Sequence, residues 1–159
     1  MIELFSRVPD ALSVVGESHL TPIPIDDEIS NLSAILLDDE YYAWIQTGKS
    51  LVENIYVAEA ECLIPLKAKA WLDLSARRKK DGGNVGSKQI KKHLNDVFRL
   101  SQLLAPNQTV RLPDLIRKDM AEFLSEAQKT DVQVRSLGIR YRTKDEIIGD
   151  LRRIYQVGN

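Results

Sequence analysis

The sequence of this 159-residue chain predicts an α+β fold, with a short strand-rich N-terminal part followed by a mostly α-helical C-terminal two-thirds. Two observations predict this class. Short apolar runs, one of them interrupted by prolines, dominate the first third of the chain and are typical of strands and extended loops. Beyond residue 60, apolar residues recur at helical spacing between capping residues and breaks. We therefore predict a partial α/β part at 1–60 and a helical part at 61–159.

Three segments near the N-terminus have the apolar character of strands. Ile2 to Phe5 is a short strand candidate. His19 to Ile25 contains two prolines, which restrict it to an edge strand or an extended loop. Ser33 to Leu37 is a buried strand or the end of a short helix, because periodicity does not separate the two at this length. A last strand is expected from Asn54 to Ala58.

Capping residues place the first two helices. Asp38 is an N-cap for a helix over 39–47, and Gly48 stands where a C-terminal glycine belongs. Pro65 suits the first turn of a second helix, which we expect to end near Lys79. The segment 81–86, which contains three glycines, then predicts a break.

Three further helices follow. Ser87 caps one that runs to about Leu104, with a helically spaced apolar stripe on one face and a polar face opposite. The stripe consists of Ile90, Leu94, Val97, Ser101 and Leu104, and the polar face of Lys88, Lys92, Asn95 and Arg99. Pro113 starts a helix that ends near Gln128, and Thr143 with Glu146 forms a capping box for the last helix.

The charges are sorted along the chain although the formal net charge is only −1. Residues 1–66 contain two basic and twelve acidic side chains, whereas residues 67–99 contain ten basic and three acidic ones. Such asymmetry concerns partners and not fold. Either the acidic and basic parts pack on each other, or the basic segment faces phosphates, and the sequence leaves both open.

Composition also bears on location. No apolar run approaches the roughly 18 residues of a membrane span, and no signal pattern begins the chain. The single cysteine, Cys62, lies among apolar residues and is expected to be a small core residue. We expect a cytoplasmic protein with no membrane partner.

Two blocks carry a family resemblance, namely Lys67 to Trp71 within LKAKAWLDL and Lys91 to Leu100, KKHLNDVFRL. Together with the strand at Ile2 to Phe5, they resemble the C-terminal portion of AbiE-type toxin nucleotidyltransferases, which have a polymerase-β-like fold. The resemblance implies a metal-binding carboxylate at Glu3, a catalytic and phosphate-binding Lys67, a nucleotide-binding Lys92 and a catalytic Asp96. His93 stands where many members carry an acid.

The chain departs from that family at its N-terminus. It contains neither the Gly-Ser motif nor the Asp-x-Asp pair, so we expect a fragment or a truncated product. The resemblance implies a complete enzyme that uses Mg²⁺ to transfer a nucleotide from an NTP to an acceptor such as RNA, with an antitoxin or a second copy as possible partner. We predict that the chain alone transfers no nucleotide and needs no cofactor.

Two other functions stay open. The helices could form a non-catalytic module that binds a partner protein, or the stretch from Arg77 to Lys92 could bind nucleic acid. Lys92 and Asp96, spaced i, i+4, could also form an ordinary surface ion pair worth about 0.2–0.5 kcal/mol. Five arginines in the C-terminal tail, without interleaved exposed aromatic residues, are not by themselves a nucleic-acid signature.

Overall fold

The computed structural model describes residues 35, 38–80 and 87–158, and it confirms the helix-rich α+β class. This part of the chain holds five helices of eight or more residues and one two-stranded antiparallel sheet. The helices are α1 (Asp39–Thr47), α2 (Ala60–Lys80), α3 (Ser87–Leu100), α4 (Asp114–Lys129) and α5 (Lys144–Ile154), and the strands are β1 (Lys49–Val52) and β2 (Ile55–Ala58). Short 3₁₀ turns lie at Ser101–Leu103 and Val134–Leu137.

Part of the predicted N-terminal structure lies outside the described residues. The strand candidates Ile2 to Phe5 and His19 to Ile25 both belong there. Of the segment from Ser33 to Leu37 only Ile35 is described, and it is helical and buried. The division at residue 60 stays a prediction, although residues before it, such as Tyr41 and Ile45, belong to the same hydrophobic core as the later helices.

The first helix leads into a tight hairpin. Asp38 caps α1 as predicted, since its Oδ1 accepts hydrogen bonds from the backbone N–H groups of Glu40 (2.9 Å) and Tyr41 (3.2 Å). Strand β2 was expected, whereas β1 was not. The two-residue turn between them has φ values of 49° at Glu53 and 66° at Asn54. Positive φ at both positions is typical of the type I′ turn that suits the twist of a hairpin.

The predicted place of Pro65 in a first helical turn is wrong, because α2 begins at Ala60 and Pro65 lies inside it. A proline has no N–H, so the Glu61 carbonyl loses its helical donor. The Tyr155 hydroxyl donates to that carbonyl at 2.9 Å. A side chain from the C-terminal end of the fold thus replaces the bond that the proline removes.

The remaining helices lie where their signals predict them, except that Ser87 is the first residue of α3 and not its cap, and α3 ends at Leu100, before the predicted end near Leu104. In α3 the stripe residues Leu94 and Val97 are buried, and the 3₁₀ turn after the helix buries Ser101. Pro113 directly precedes α4. The capping box of α5 is complete, with Glu146 N–H donating to Thr143 Oγ1 and Thr143 N–H donating to Glu146 Oε2.

The second helix organises the core. It contacts α1, α3 and α4, and α5 packs against α4. Trp71 of α2 meets Phe123 of α4 edge to face, with 5.4 Å between ring centroids. None of the described helices is both long enough and apolar enough to cross a bilayer.

Candidate functional site

Helix α2 carries two lysines on different sides. Successive residues of an α-helix are rotated by about 100°, so Lys67 and Lys69 point in nearly opposite directions. Lys67 reaches Asp96 on α3, and Lys69 reaches Asp119 on α4. Because α2 lies between these two helices, two charged clusters form on its two sides.

The Lys67 cluster consists of Lys67, Asp96 and Arg99. Lys67 Nζ lies 3.9 Å from Asp96 Oδ2, and Arg99 Nη1 lies 3.6 Å from Asp96 Oδ1. Lys67 is only 5% exposed, whereas about half of the Arg99 side chain faces solvent. A buried ammonium has lost its hydration, so its pairing with Asp96 offsets a desolvation cost. The structure therefore places side by side the two residues for which the resemblance implies a catalytic role.

The other residues for which the resemblance implies a role lie outside the Lys67–Asp96 pair. Lys92 is partly buried and precedes Asp96 by one turn of α3, so the two share one side of that helix. His93, which follows Lys92 in α3, is buried. Glu3, the predicted metal ligand, lies outside the described residues.

The Lys69 cluster joins three helices. Lys69 Nζ lies 3.3 Å from Asp73 Oδ1 in the same helix and 3.3 Å from Asp119 Oδ2 in α4. The Tyr41 hydroxyl of α1 donates to Asp119 Oδ2 at 3.0 Å. Asp119 is 9% exposed, so its carboxylate replaces water contacts with a phenol and an ammonium.

The charges of the Lys69 cluster fix its protonation. Burial and the adjacent Asp119 carboxylate raise the pKa of Tyr41 well above its ordinary value. Burial lowers the pKa of Lys69, but the Asp119 and Asp73 carboxylates raise it, and the net shift is upward. At neutral pH Tyr41 is therefore a neutral hydrogen-bond donor and Lys69 is a cation.

A cavity of about 260 Å³ opens beside the Lys69 cluster. Its lining combines both signs of charge with apolar side chains: Ile35, Asp38, Tyr41, Lys69, Ala70, Asp73, Arg77 and Leu115. Mixed charges of this kind suit a small polar ligand better than a strongly anionic one, because Asp38 and Asp73 oppose an anion.

The carboxylates in the described part of the chain do not form a metal-binding cluster of three side chains. No three His, Cys, Asp or Glu side chains there lie close enough to hold a metal ion. The Asp73 and Asp119 carboxylates approach each other only through the Lys69 ammonium, which already compensates their charge.

Sequence analysis missed the Lys69 cluster, although a signal was present. Asp119 occupies the apolar stripe of α4, with Ile116 one turn before it and Phe123 one turn after it. A carboxylate on a buried stripe indicates a buried partner, since an unpaired charge there is costly. Lys69 and Asp73 were also spaced as an i, i+4 pair. No local rule identified Tyr41 as the third member.

Comparison of the chain with protein-family models, with curated proteins and with solved structures gives no match. The roles that the resemblance implies for Lys67, Lys92 and Asp96 therefore stay predictions.

Proposed function

We propose that this chain is the helical C-terminal portion of a nucleotidyltransferase-like protein. The complete protein would transfer a nucleotide from an NTP to an acceptor such as RNA, with Mg²⁺ supplied to its catalytic carboxylates. One observation carries the proposal. Lys67 and Asp96 are far apart in sequence, the resemblance assigns them to one site, and their charged atoms lie 3.9 Å apart.

The Lys67 cluster has a chemistry that suits phosphate. Asp96 holds two cations, one buried on Lys67 and one exposed on Arg99. A phosphate that approaches from the solvent side meets Arg99 first and then competes with Asp96 for both cations. Guanidinium binds phosphate through two parallel hydrogen bonds, and an ammonium acts as a point charge. Lys92, on the same side of α3, adds a third positive charge. By resemblance Glu3 would hold the metal.

The first prediction concerns the isolated chain. We expect the purified chain to transfer no nucleotide, because it contains no Asp-x-Asp pair and no Gly-Ser motif preceding such a pair. The measurement is Mg²⁺-dependent transfer of label from α-³²P NTPs to total cellular RNA. Robust labelling by the purified chain would contradict this prediction.

The decisive experiment uses the endogenous protein. An antibody against the chain captures it from its native cells, and its intact mass and labelling activity are measured together. A mass well above 18.0 kDa with labelling activity is expected. Lys67→Met and Asp96→Asn, introduced at the native locus, should each reduce labelling by roughly 10²-fold or more, the scale of a lost transition-state contact.

The control is Lys118→Met, which removes an exposed lysine on α4 and should leave labelling unchanged. Thermal melting of each variant separates loss of activity from loss of folding. A captured protein of 18.0 kDa that has no labelling activity, alone or with its co-purifying partners, would overturn the proposal.

The hairpin favours a second candidate function, a non-catalytic interaction module. Both strands are short, and a hairpin of two strands is marginally stable by itself. Five of its apolar side chains are exposed: Leu51, Val52, Ile55, Tyr56 and Val57. A stable dimer in size-exclusion chromatography with light scattering, disrupted by Ile55→Lys and unaffected by NTP, would favour this function.

A further inference from the structure

The loop between α4 and α5 holds an exposed aromatic ring between arginines. Tyr141 is 94% exposed and lies between Arg140 and Arg142. We define the Tyr141 surface as Arg135, Arg140, Tyr141, Arg142 and Lys144. Sequence analysis found arginines here without an exposed aromatic partner, and the structure supplies that partner.

The exposure of Tyr141 is fixed by the residues on its N-terminal side. Val134 and Ile139 are buried in the core and anchor the loop. Between them Gly138 has a φ of 86°, a conformation that favours glycine, and its N–H donates to the Arg135 carbonyl at 3.1 Å. The chain therefore emerges from Ile139 in a defined direction.

The C-terminal side of Tyr141 is equally constrained. Arg142 forms an ion pair with Asp150 of α5, and Thr143 caps that helix. Only two positions separate the buried Ile139 from the paired Arg142. The backbone is therefore fixed on both sides of Tyr141. Its exposed ring can contact a ligand without a further loss of conformational entropy in the loop.

The charge of this surface is positive. Residues 135–144 contain four basic side chains and no acidic one. Arg142 is engaged by Asp150, and Lys144 Nζ donates to the carbonyls of Gln128 and Thr130. Arg135 and Arg140 are exposed, and neither forms an ion pair with a carboxylate in the described part of the chain. These two guanidinium groups can reach a ligand.

A groove of about 550 Å³ runs along the same surface. Arg135, Arg140, Tyr141 and Lys144 line it, together with the carboxylate of Glu146. That carboxylate is turned toward Thr143, since its Oε2 accepts from both the backbone N–H and the hydroxyl of that residue. The groove thus combines a ring, two available cations and a carboxylate that is already hydrogen-bonded.

We infer that the Tyr141 surface binds single-stranded nucleic acid. A base stacks on the Tyr141 ring, and the flanking phosphates pair with Arg135 and Arg140. A protein partner would require more apolar area than one ring supplies, because interface hot spots lie in desolvated apolar pockets. The inference does not rest on the proposed function, since none of these residues belongs to the Lys67 cluster.

The test measures fluorescence anisotropy of fluorescein-labelled oligouridine and oligothymidine, twelve nucleotides long, between about 50 and 200 mM salt. Tyr141→Ala should weaken binding by roughly 5- to 150-fold, the value of one stacked base, and Tyr141→Trp should preserve it. The double variant Arg135→Ala, Arg140→Ala should reduce the slope of log affinity against log salt by about 1.4, since each phosphate contact on a single strand contributes about 0.7.

Matched variants elsewhere serve as controls. Tyr56→Ala removes another exposed tyrosine, and Arg111→Ala removes another exposed arginine, and both should leave binding unchanged. The oligonucleotide measurement contains no NTP and no Mg²⁺, so failure of this inference is distinguishable from failure of the proposed function. Tighter binding of oligouridine than of oligothymidine would identify RNA as the ligand, recognised through its 2′-hydroxyl. Equal binding of the two would indicate that only base stacking and phosphate are recognised. Both results support the inference.

Three results would overturn the inference. One is that the unaltered chain binds neither oligonucleotide at the lowest salt. Another is that the control variants lose as much affinity as Tyr141→Ala. The third is that Tyr141→Ala leaves oligonucleotide binding intact but abolishes binding to vesicles of phosphatidylcholine and phosphatidylserine, which would identify a membrane surface instead.

Discussion

Pro65 and Tyr155 are coupled through one carbonyl group. The proline removes the helical donor to the Glu61 carbonyl, and the Tyr155 hydroxyl donates there at 2.9 Å. Burial of Tyr155, with smaller contributions from Cys62 and Glu61, raises the pKa of its hydroxyl above the ordinary value. The hydroxyl therefore stays protonated and remains a donor throughout the physiological range.

This coupling predicts a double-mutant cycle. Tyr155→Phe should lower the free energy of unfolding by about 1–3 kcal/mol, because a buried acceptor loses its partner. In a Pro65→Ala background the alanine N–H can donate to Glu61, so the same change should cost at least about 0.5 kcal/mol less. Urea denaturation measures all four proteins, with Tyr141→Phe as an exposed control. Equal costs in both backgrounds would contradict the coupling.

The residue scale shows where sequence reasoning stops. A proline near a helix start predicts the first turn because its missing N–H is unneeded there. The helix instead begins at Ala60, because the Tyr155 hydroxyl donates to the Glu61 carbonyl that the proline leaves without a helical donor. The pairing of Asp119 with Tyr41 is equally non-local. Neither partner could be found from local pattern, because both depend on how the helices pack.

At the scale of elements, the start of the hairpin is pressed against α2 at Gly48. A Cβ at this position would overlap the Cys62 side chain, and the Glu59 N–H donates to the Gly48 carbonyl at 2.9 Å. Burial, together with the Glu61 and Glu59 carboxylates, raises the pKa of the Cys62 thiol to about 12. Cys62 thus packs as a protonated, small core residue, as its apolar surroundings predicted.

Two glycines should respond to alanine in opposite directions. Gly48→Ala should lower the free energy of unfolding by about 1–3 kcal/mol, because overpacking displaces Cys62. Gly149→Ala, at an exposed position of α5 with no atom near the added methyl, should raise it by about 0.5–1 kcal/mol. Chemical denaturation of both variants tests the pair. A stabilising Gly48→Ala would mean that the hairpin does not pack on Cys62.

Elements with local signals were predicted well. The caps at Asp38 and Thr143 and the apolar stripe of α3 were all confirmed. Strand β1 was missed because the turn residues Glu53 and Asn54 lack the glycine that usually marks a type I′ hairpin. Lys67 approaches Asp96 from a different helix, whereas spacing within one helix suggested only Lys92 as a partner for Asp96.

At the scale of the whole molecule, buried titratable groups tie the helices together. The Lys69 cluster joins α1, α2 and α4, and Tyr155 ties the turn after α5 to α2. The pKa values of Tyr41, Tyr155, Lys69 and Cys62 are all raised above their ordinary values. Each of these groups therefore holds its proton more tightly in the folded chain than in the unfolded chain.

The fold should consequently be sensitive to alkali. A group whose pKa is raised by folding contributes stability that is complete below its ordinary pKa and is lost as the pH rises toward the folded value. The loss should begin near pH 8.5 with Cys62 and steepen above about pH 10, where tyrosine and lysine ionise in the unfolded chain.

Urea denaturation between about pH 8 and 11 measures this slope, to which each group can contribute up to about 1.4 kcal/mol per pH unit. Tyr41→Phe should flatten the slope above pH 10, whereas Tyr56→Phe, which alters an exposed ring, should leave it unchanged. Constant stability across this range would show that the buried hydroxyls and Lys69 do not hold the helices together.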